Sequence, residues 1–234
     1  AGNYENAYDE FRLVAEKYPD SEFGKEALYK AGECLAQSGR QAEAANVFEN
    51  FARQYPDHPL AEQAILRVGD AQLSGDAFSA AVEKYKTILA APADPSIRLE
   101  TLYRLAITYH NMKDYKSSAE TFRQIVEQFP DSSYIAEARF RVGDYYLCDA
   151  KDPLKAIEPF DAVLNAGGQS PYVGRALKGL ALARYETKDY DVAADLFLRL
   201  MREFPSITLN EETYAWVGQR DRKSTRLNSS HTIQ

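Results

Sequence analysis

The residue types that most often carry out catalysis or bind metals are sparse in this sequence. It holds three histidines and two cysteines in 234 residues, and none lies in a His-Glu-x-x-His or paired-cysteine pattern. A Gly-x-Ser-x-Gly motif and a glycine-rich phosphate loop are also missing. His58 falls in a polar turn and His110 at the end of a helical stretch, so both are predicted to be surface residues. The sequence therefore predicts a protein that is not an enzyme, with no catalytic residue, metal site or cofactor.

The elements that would position any functional side chain are helices. Residues 97–133 contain two amphipathic stretches joined by a short polar turn. In the first stretch Leu102, Ala106 and Tyr109 fall on one helical face. The second stretch has the same spacing and ends at Pro130, because proline cannot donate the next backbone hydrogen bond. One such hairpin buries little apolar surface, so it is predicted to stack against neighbouring hairpins.

The hairpin recurs with a period of 37 residues, interrupted once by a single extra residue. A period in this range is typical of a solenoid. The small residue of each first helix is followed, usually twelve positions later, by a small residue and then by an aromatic. The first-helix series is Gly32, Gly69, Ala106, Gly143, Ala181 and Gly218, and the second-helix series is Ala7, Ala44, Ala81, Ser118, Ala156 and Ala193. Helices are predicted near 3–18, 22–38, 41–55, 59–74, 77–90, 96–112, 115–129, 133–148, 153–165, 171–187, 190–204 and 210–220.

This spacing resembles the tetratricopeptide repeat (TPR) family. Leu28, Ala31, Gly32, Ala44, Phe48 and Pro56 follow the family pattern in order. The usual TPR period is 34 residues, and the three additional residues here fall in the turns between repeats. The resemblance implies an all-α fold, a right-handed TPR solenoid of antiparallel helix pairs with about six repeats.

The turns between repeats are similar to those of bacterial envelope TPR proteins. The Pro-Asp-Ser-x5-Ala turns at 19–27 and 130–138 resemble those of outer-membrane assembly lipoproteins and Tol-Pal accessory proteins. That resemblance implies a scaffold that binds a partner protein or peptide, located in the periplasm or at the outer membrane. The alternatives are a cytoplasmic TPR regulatory domain of a larger protein whose catalytic or DNA-binding module is missing, and a self-assembling solenoid.

In the TPR family, first helices form a concave wall, and two positions per repeat face it. Carried over to this chain, the first position holds Tyr29, Leu66, Tyr103, Phe140 and Lys178, and the second holds Glu33, Asp70, Ile107, Asp144 and Leu182. The rings and carboxylates would suit a peptide with apolar anchors and basic flanks. The alternative is that the rings pack as core. The predicted partner-binding groove is Tyr29, Glu33, Leu66, Asp70, Tyr103, Ile107, His110, Phe140 and Asp144.

A series of basic residues also follows the repeat. It consists of Lys30, Arg67, Arg104 and Arg141, and three of them follow Glu26, Glu100 or Glu137 by four positions. An acid four residues before a base is the favourable helical pair. We therefore expect intrahelical ion pairs, with a track for an anionic ligand as the alternative.

The remaining expectations concern the cysteines, the irregular fifth repeat and the ends. Cys34 and Cys148 are predicted to be buried thiols without a disulfide, since repeats so far apart do not meet. Pro159 is predicted to bend its helix, and whether it and Gly167-Gly168 form a hinge is open. Residues 1–220 are expected to form a single TPR solenoid, cut at both ends, because the chain begins within a repeat and without methionine.

The last residues break the repeat pattern. Residues 221–231 resemble a translated sequencing adapter, so 221–234 is expected to be an artefactual or disordered tail. The net charge of −7 argues against nucleic acid as a partner. No stretch is long and apolar enough to span a bilayer. The expected partner is therefore a protein or peptide.

Overall fold

The computed structural model describes residues 3–75, 77–90, 94–166 and 170–220, and it shows helices without strands in these ranges. All twelve predicted helices are present, with ends within a few residues of those predicted. Their bounds are α1 Tyr4–Lys17, α2 Glu22–Gln37, α3 Gln41–Gln54, α4 Ala61–Ser74, α5 Phe78–Ala90, α6 Pro95–Asn111, α7 Tyr115–Gln128, α8 Ile135–Asp144, α9 Pro153–Asn165, α10 Val173–Glu186, α11 Tyr190–Glu203 and α12 211–220.

The chain divides into two compact units, Ala1–Thr121 and Phe122–Gln234. In unit 1 consecutive helices from α1 to α6 pack against each other, and α4 also contacts α6. In unit 2 the same consecutive packing joins α8 to α9, α9 to α10 and α10 to α11. Each unit is thus a stack of helix pairs, and the predicted all-α TPR fold is confirmed. That residues 1–220 form a single solenoid stays a prediction.

The core of each repeat forms where an aromatic ring of the second helix meets a small residue of the first. A Cβ added at Gly32 would lie 2.8 Å from Phe48, and one added at Gly143 would lie 2.8 Å from Phe160. Both rings are buried. A larger side chain would hold the helices apart, so the predicted pairing of small and aromatic residues is confirmed at these positions.

Four of the turns inside helix pairs use a left-handed residue at a recurring position. Gly39, Lys113, Lys151 and Lys188 have φ of 83°, 62°, 54° and 65°. This conformation costs a non-glycine residue roughly 1–2 kcal/mol. A backbone hydrogen bond closes each of these turns, as from Asp114 N–H to Tyr109 O at 2.9 Å. The donor is the residue after the left-handed one, and the acceptor lies four residues before the left-handed one, or five in the case of Lys151. The sequence reading did not identify this position.

The extra residue of the fifth repeat is absorbed by a π-helical turn. Helix α8 continues as the π turn Tyr145–Asp149, in which Ala150 N–H donates to Tyr145 O at 2.9 Å. A π turn takes one more residue than an α turn, so Phe160 still reaches Gly143. Helix α9 continues through Pro159, which is buried. The bend predicted at Pro159 stays a prediction.

The two cysteines differ in their exposure to solvent. Both thiols are free, and Cys34 is buried, but Cys148 is exposed because it lies in the π turn. The prediction of two buried thiols was therefore wrong for Cys148.

Gly167-Gly168 and the tail 221–234 lie outside the described residues. No helix within the described ranges is long and apolar enough to cross a membrane.

Candidate functional site: the first-helix cleft of unit 1

Three of the predicted groove residues are core residues. Tyr29 is 3% exposed, Leu66 0% and Phe140 9%. Tyr29 packs on Phe48 and Phe51, with ring centroids 5.2 and 5.7 Å away. Its hydroxyl lies near Arg67 without a hydrogen bond of good geometry among the described residues, and burial raises its pKa. The groove prediction was wrong for Tyr29, Leu66 and Phe140, because the repeat pattern does not reveal which side chains neighbouring helices cover.

The predicted carboxylates Glu33 and Asp70 do come together. They line one cleft of about 610 Å³ between α2 and α4 of unit 1. Lys30 and Arg67 line it as well, and Tyr4 lies at its α1 side. The full lining is Tyr4, Lys30, Glu33, Cys34, Ala36, Gln37, Gln41, Phe48, Arg67, Asp70, Ala71 and Ser74. We call this cavity the first-helix cleft.

Asp70 is the most connected group in the first-helix cleft. Its Oδ1 accepts a hydrogen bond from the Tyr85 hydroxyl at 3.0 Å and lies 2.9 Å from Arg104 Nη1. Its Oδ2 lies 3.3 Å from Arg67 Nη1. Burial is the largest influence on the pKa of Asp70 and raises it, while Arg104, Tyr85 and Arg67 act in the opposite direction. Asp70 thus ties α4 to α5 and α6.

The basic series is paired within the protein. Arg104 bonds Glu100 at 2.7 Å and Arg141 bonds Glu137 at 3.2 Å, as the spacing predicts. Lys30 differs: it pairs with Glu33 at 2.6 Å and not with Glu26. Lys30 therefore balances Glu33, and Arg67 and Arg104 balance Asp70. These carboxylates are already compensated, so the structure does not favour the basic flanks expected for a bound peptide.

Tyr103, Ile107 and His110 are partly exposed on α6 of unit 1. The His110 ring lies 5.3 Å from the Tyr115 ring. In unit 2, Asp144 is also partly exposed, and its Oδ1 lies 3.7 Å from Cys148 Sγ. The role of these four residues in a groove stays a prediction.

Comparisons with known proteins agree with this architecture. A family model described as outer membrane lipoprotein (YfiO) matches residues 1–146, which is more than half of the chain. The chain belongs to this family. A tetratricopeptide repeat model matches residues 176–206. No curated protein matches.

Solved structures similar to this member of the YfiO family are TPR proteins. MamA is 15% identical, with a TM-score of 0.61 and coverage of 80% of this chain and 97% of MamA. YrrB, described as a TPR protein with an unusual peptide-binding site, is 14% identical, with a TM-score of 0.62 and coverage of 91% of this chain and 97% of YrrB. At such identity these likenesses show the fold alone. The scaffold role for protein–protein interaction is implied by the two family matches.

In this family member, His58 has a structural position that the sequence reading missed. Its side chain is only 6% exposed, although the residue as a whole is partly exposed, as predicted for a surface turn. Leu60 N–H donates to Nδ1 at 3.1 Å, which leaves Nε2 to donate to Glu22 Oε1 at 2.6 Å. The ring also packs edge-on against Phe51, with centroids 5.2 Å apart. His58 thereby joins the start of α2 to the start of α4. The equivalent position one repeat earlier is Ser21, whose side chain caps α2.

Unit 2 has its own smaller pocket, beside the irregular fifth repeat. It measures about 330 Å³ and lies between α7, α8 and α9. Pro159 and Tyr146 of the π turn both line it, so the two irregularities of this repeat border one cavity.

Within the described residues, no group of histidine, cysteine and acidic side chains is arranged to hold a metal ion.

Proposed function

We propose that this chain is a non-catalytic scaffold that holds an extended segment of a partner protein in the first-helix cleft of unit 1. The observation that supports this most directly is the cleft itself, about 610 Å³ between two first helices. Its charged groups are paired with each other, so strongly acidic or basic segments gain little from it. Gln37 offers an amide group for a peptide backbone. Gln41 and Ser74 offer their oxygens as acceptors, since the Gln41 amide nitrogen donates to Ala36 O and the Ser74 hydroxyl to Asp70 O.

We further propose that the scaffold works in bacterial envelope assembly, in the periplasm or at the outer membrane. Membership of an outer membrane lipoprotein family supports this location. Fractionation of cells that express the full gene tests it, and the expected result is recovery with the outer membrane. Recovery in the cytoplasm would favour the alternative, a regulatory TPR domain of a larger cytoplasmic protein.

A blocking substitution tests the first-helix cleft. Gln37 is exposed at the end of α2 and lines the cleft, so Gln37→Trp should fill it without disturbing the core. Peptides are selected from a displayed random library on the unaltered protein and then measured against both. We expect the selected peptides to lose at least about tenfold in affinity, equivalent to 1.4 kcal/mol.

The matched control is Glu26→Trp, an equally bulky change at an exposed position of α2 that does not line the cleft. It should leave peptide affinity unchanged. Equal binding to Gln37→Trp and the unaltered protein, or a selection that yields no binding peptide, would contradict the proposal. Tyr103, on α6, does not line the cleft, so a loss of peptide affinity in Tyr103→Ala at an unchanged melting temperature would show that the bound segment extends to α6.

A further inference from the structure

A group of aromatic side chains in unit 2 lies outside the proposed peptide cleft. Tyr185 ends α10, Tyr190 begins α11 and Trp216 lies in α12. The Tyr185 and Trp216 rings meet edge to face, with centroids 4.9 Å apart and planes at 88°. Tyr190 lies 5.4 Å from Tyr185 and 6.1 Å from Trp216. We call these three rings the aromatic cage.

The aromatic cage is held in place by the fold but is open to solvent. The left-handed residue Lys188 turns the chain so that Tyr185 and Tyr190 face each other, and Asp189 N–H donates to Arg184 O at 2.8 Å to close that turn. Trp216 rests on the buried ring of Phe197, 6.2 Å away. Tyr185 and Tyr190 are nonetheless 41% and 37% exposed. Rigid, exposed aromatic rings of this kind are typical of recognition sites.

A guanidinium already occupies the aromatic cage. Arg220 Cζ lies 5.4 Å from the Tyr190 centroid and 5.5 Å from the Trp216 centroid. Asp191, next to Tyr190, forms an ion pair with the same guanidinium. A cation held by two ring faces and one carboxylate shows which chemistry this place accepts, namely an arginine or lysine side chain.

The hold on Arg220 is weak enough for another cation to replace it. The Asp191 side chain is 92% exposed and that of Arg220 is 35% exposed, and exposed ion pairs contribute little. Exposed cation–π contacts are also weak, each worth about a two- to fivefold change in affinity.

We propose that the aromatic cage of Tyr185, Tyr190 and Trp216 binds an arginine or lysine side chain of a partner protein, and that Arg220 fills the cage when no partner is bound. The site is separate from the first-helix cleft and does not depend on the function proposed for it. Asp191 supplies the counter-charge to the incoming cation.

Trp216 is the single tryptophan of the chain, so its fluorescence reports on the aromatic cage directly. The full chain carrying Arg220→Gln is titrated with N-acetyl-arginine amide, and the neutral isostere N-acetyl-citrulline amide serves as the control ligand. We expect a saturable change in Trp216 emission with the arginine derivative and none with citrulline. The unaltered protein should need about tenfold more ligand, because the tethered Arg220 competes.

Two further substitutions in the Arg220→Gln background, Tyr190→Leu and Asp191→Asn, locate the site, and a third serves as their control. Tyr190→Leu removes one ring of the aromatic cage and should weaken the response about two- to fivefold. The control is Tyr214→Leu, which removes an exposed tyrosine of α12 that is not a cage ring and should leave the response unchanged. Circular dichroism checks that helix content is preserved. Asp191→Asn, at a side chain too exposed to affect folding, should weaken the response several-fold.

The proposal is overturned if Arg220→Gln shows no saturable response to the arginine derivative. It is also overturned if citrulline gives the same response, since a neutral ligand would then suffice. A response that survives both Tyr190→Leu and Asp191→Asn would place any cation binding elsewhere on the chain and likewise refute the cage.

Discussion

Tyr85 in unit 1 and Phe160 in unit 2 occupy the same repeat position but pack by different chemistry. Each lies four residues after a small residue of its second helix and against a glycine of its first helix. Tyr85 packs on Gly69 and uses its hydroxyl to donate to Asp70. Phe160 has no hydroxyl and is enclosed by two glycines, Gly143 of its own repeat and Gly179 of the next.

The difference shows that one repeat position can join helices in two ways. In unit 1 the aromatic residue is part of a polar cluster that connects α4, α5 and α6 through Asp70 and Arg104. In unit 2 the ring fills a narrow space between α8 and α10 by shape alone. Both rings are therefore sensitive to the size of the residue they pack on, since a Cβ at Gly69 would lie 2.4 Å from Tyr85. Unit 1 should in addition be sensitive to the loss of hydrogen bonds and charge.

The largest effect is expected from enlarging the glycines around Phe160. A Cβ at Gly179 would lie 2.4 Å from the ring and one at Gly143 would lie 2.8 Å away, with the ring unable to move towards either side. Gly179→Leu and Gly143→Leu should each lower the free energy of unfolding by about 3 kcal/mol, near the upper end for an overpacked core. Urea unfolding followed by circular dichroism measures this.

Gly75→Ala is the control for these substitutions. A Cβ at Gly75 would meet only ordinary contacts, the nearest at 3.7 Å. Its change in unfolding free energy should stay within about 1 kcal/mol. If the leucine variants of Gly143 and Gly179 unfolded at the same urea concentration as the Gly75→Ala protein, Phe160 would not be sterically confined.

A smaller effect is expected from removing the Tyr85 hydroxyl. Tyr85→Phe keeps the ring against Gly69 but takes one hydrogen bond from the partly buried carboxylate of Asp70. Hydrogen bonds to charged groups contribute roughly 1.5–3 kcal/mol, and the two arginines remain, so we expect a loss of about 1–2 kcal/mol in unfolding free energy.

Tyr55→Phe is the matched control in unit 1, since the Tyr55 hydroxyl donates to the neutral backbone oxygen of Pro19 at 3.0 Å. Its loss should be about 1 kcal/mol or less. A Tyr85→Phe protein as stable as the unaltered one would show that Asp70 does not need the hydroxyl, and the contrast with Phe160 would then be one of shape only.

The helices and their pairing could be predicted from the sequence because both are local properties. Apolar spacing sets each helix, and the small and aromatic residues at a fixed interval predict contacts such as Gly32 with Phe48. The repeat series also places the extra residue of the fifth repeat between Gly143 and Ala156, the interval that contains the π turn Tyr145–Asp149.

Which side chains remain exposed could not be predicted, because exposure depends on the neighbouring repeat. Tyr29 and Tyr103 occupy the same repeat position, yet Tyr29 is buried beside Phe48 and Phe51 while Tyr103 is partly exposed. The Arg104–Asp70 pair joins residues 34 positions apart, and a search for pairs four apart cannot detect it. The alignment at period 37 did contain a usable signal. It matches Asp70 with Ile107, and Arg104 lies three positions before Ile107, about one helical turn away.

The smallest effect is expected from acid, through the contact between Glu22 and His58 in unit 1. The hydrogen bond from His58 holds the pKa of Glu22 below its ordinary value of 4.5, and Lys25 adds a smaller contribution. A carboxylate with a lowered folded-state pKa stabilises the protein above its unfolded pKa, and this contribution is lost as the pH falls through the folded pKa. Glu22→Gln should therefore reduce the drop in melting temperature on acidification.

The same substitution in a His58→Ala background isolates this contact. His58→Ala alone removes both the packing on Phe51 and the acceptor for Leu60 N–H, so it should be destabilising at every pH. If the hydrogen bond is the cause, Glu22→Gln no longer changes the acid response once His58 is absent, and the double-mutant cycle gives a coupling that disappears below the Glu22 pKa. An acid response of Glu22→Gln that is the same with and without His58 would assign the shift to Lys25, and the polar character of unit 1 would then rest on Asp70 alone.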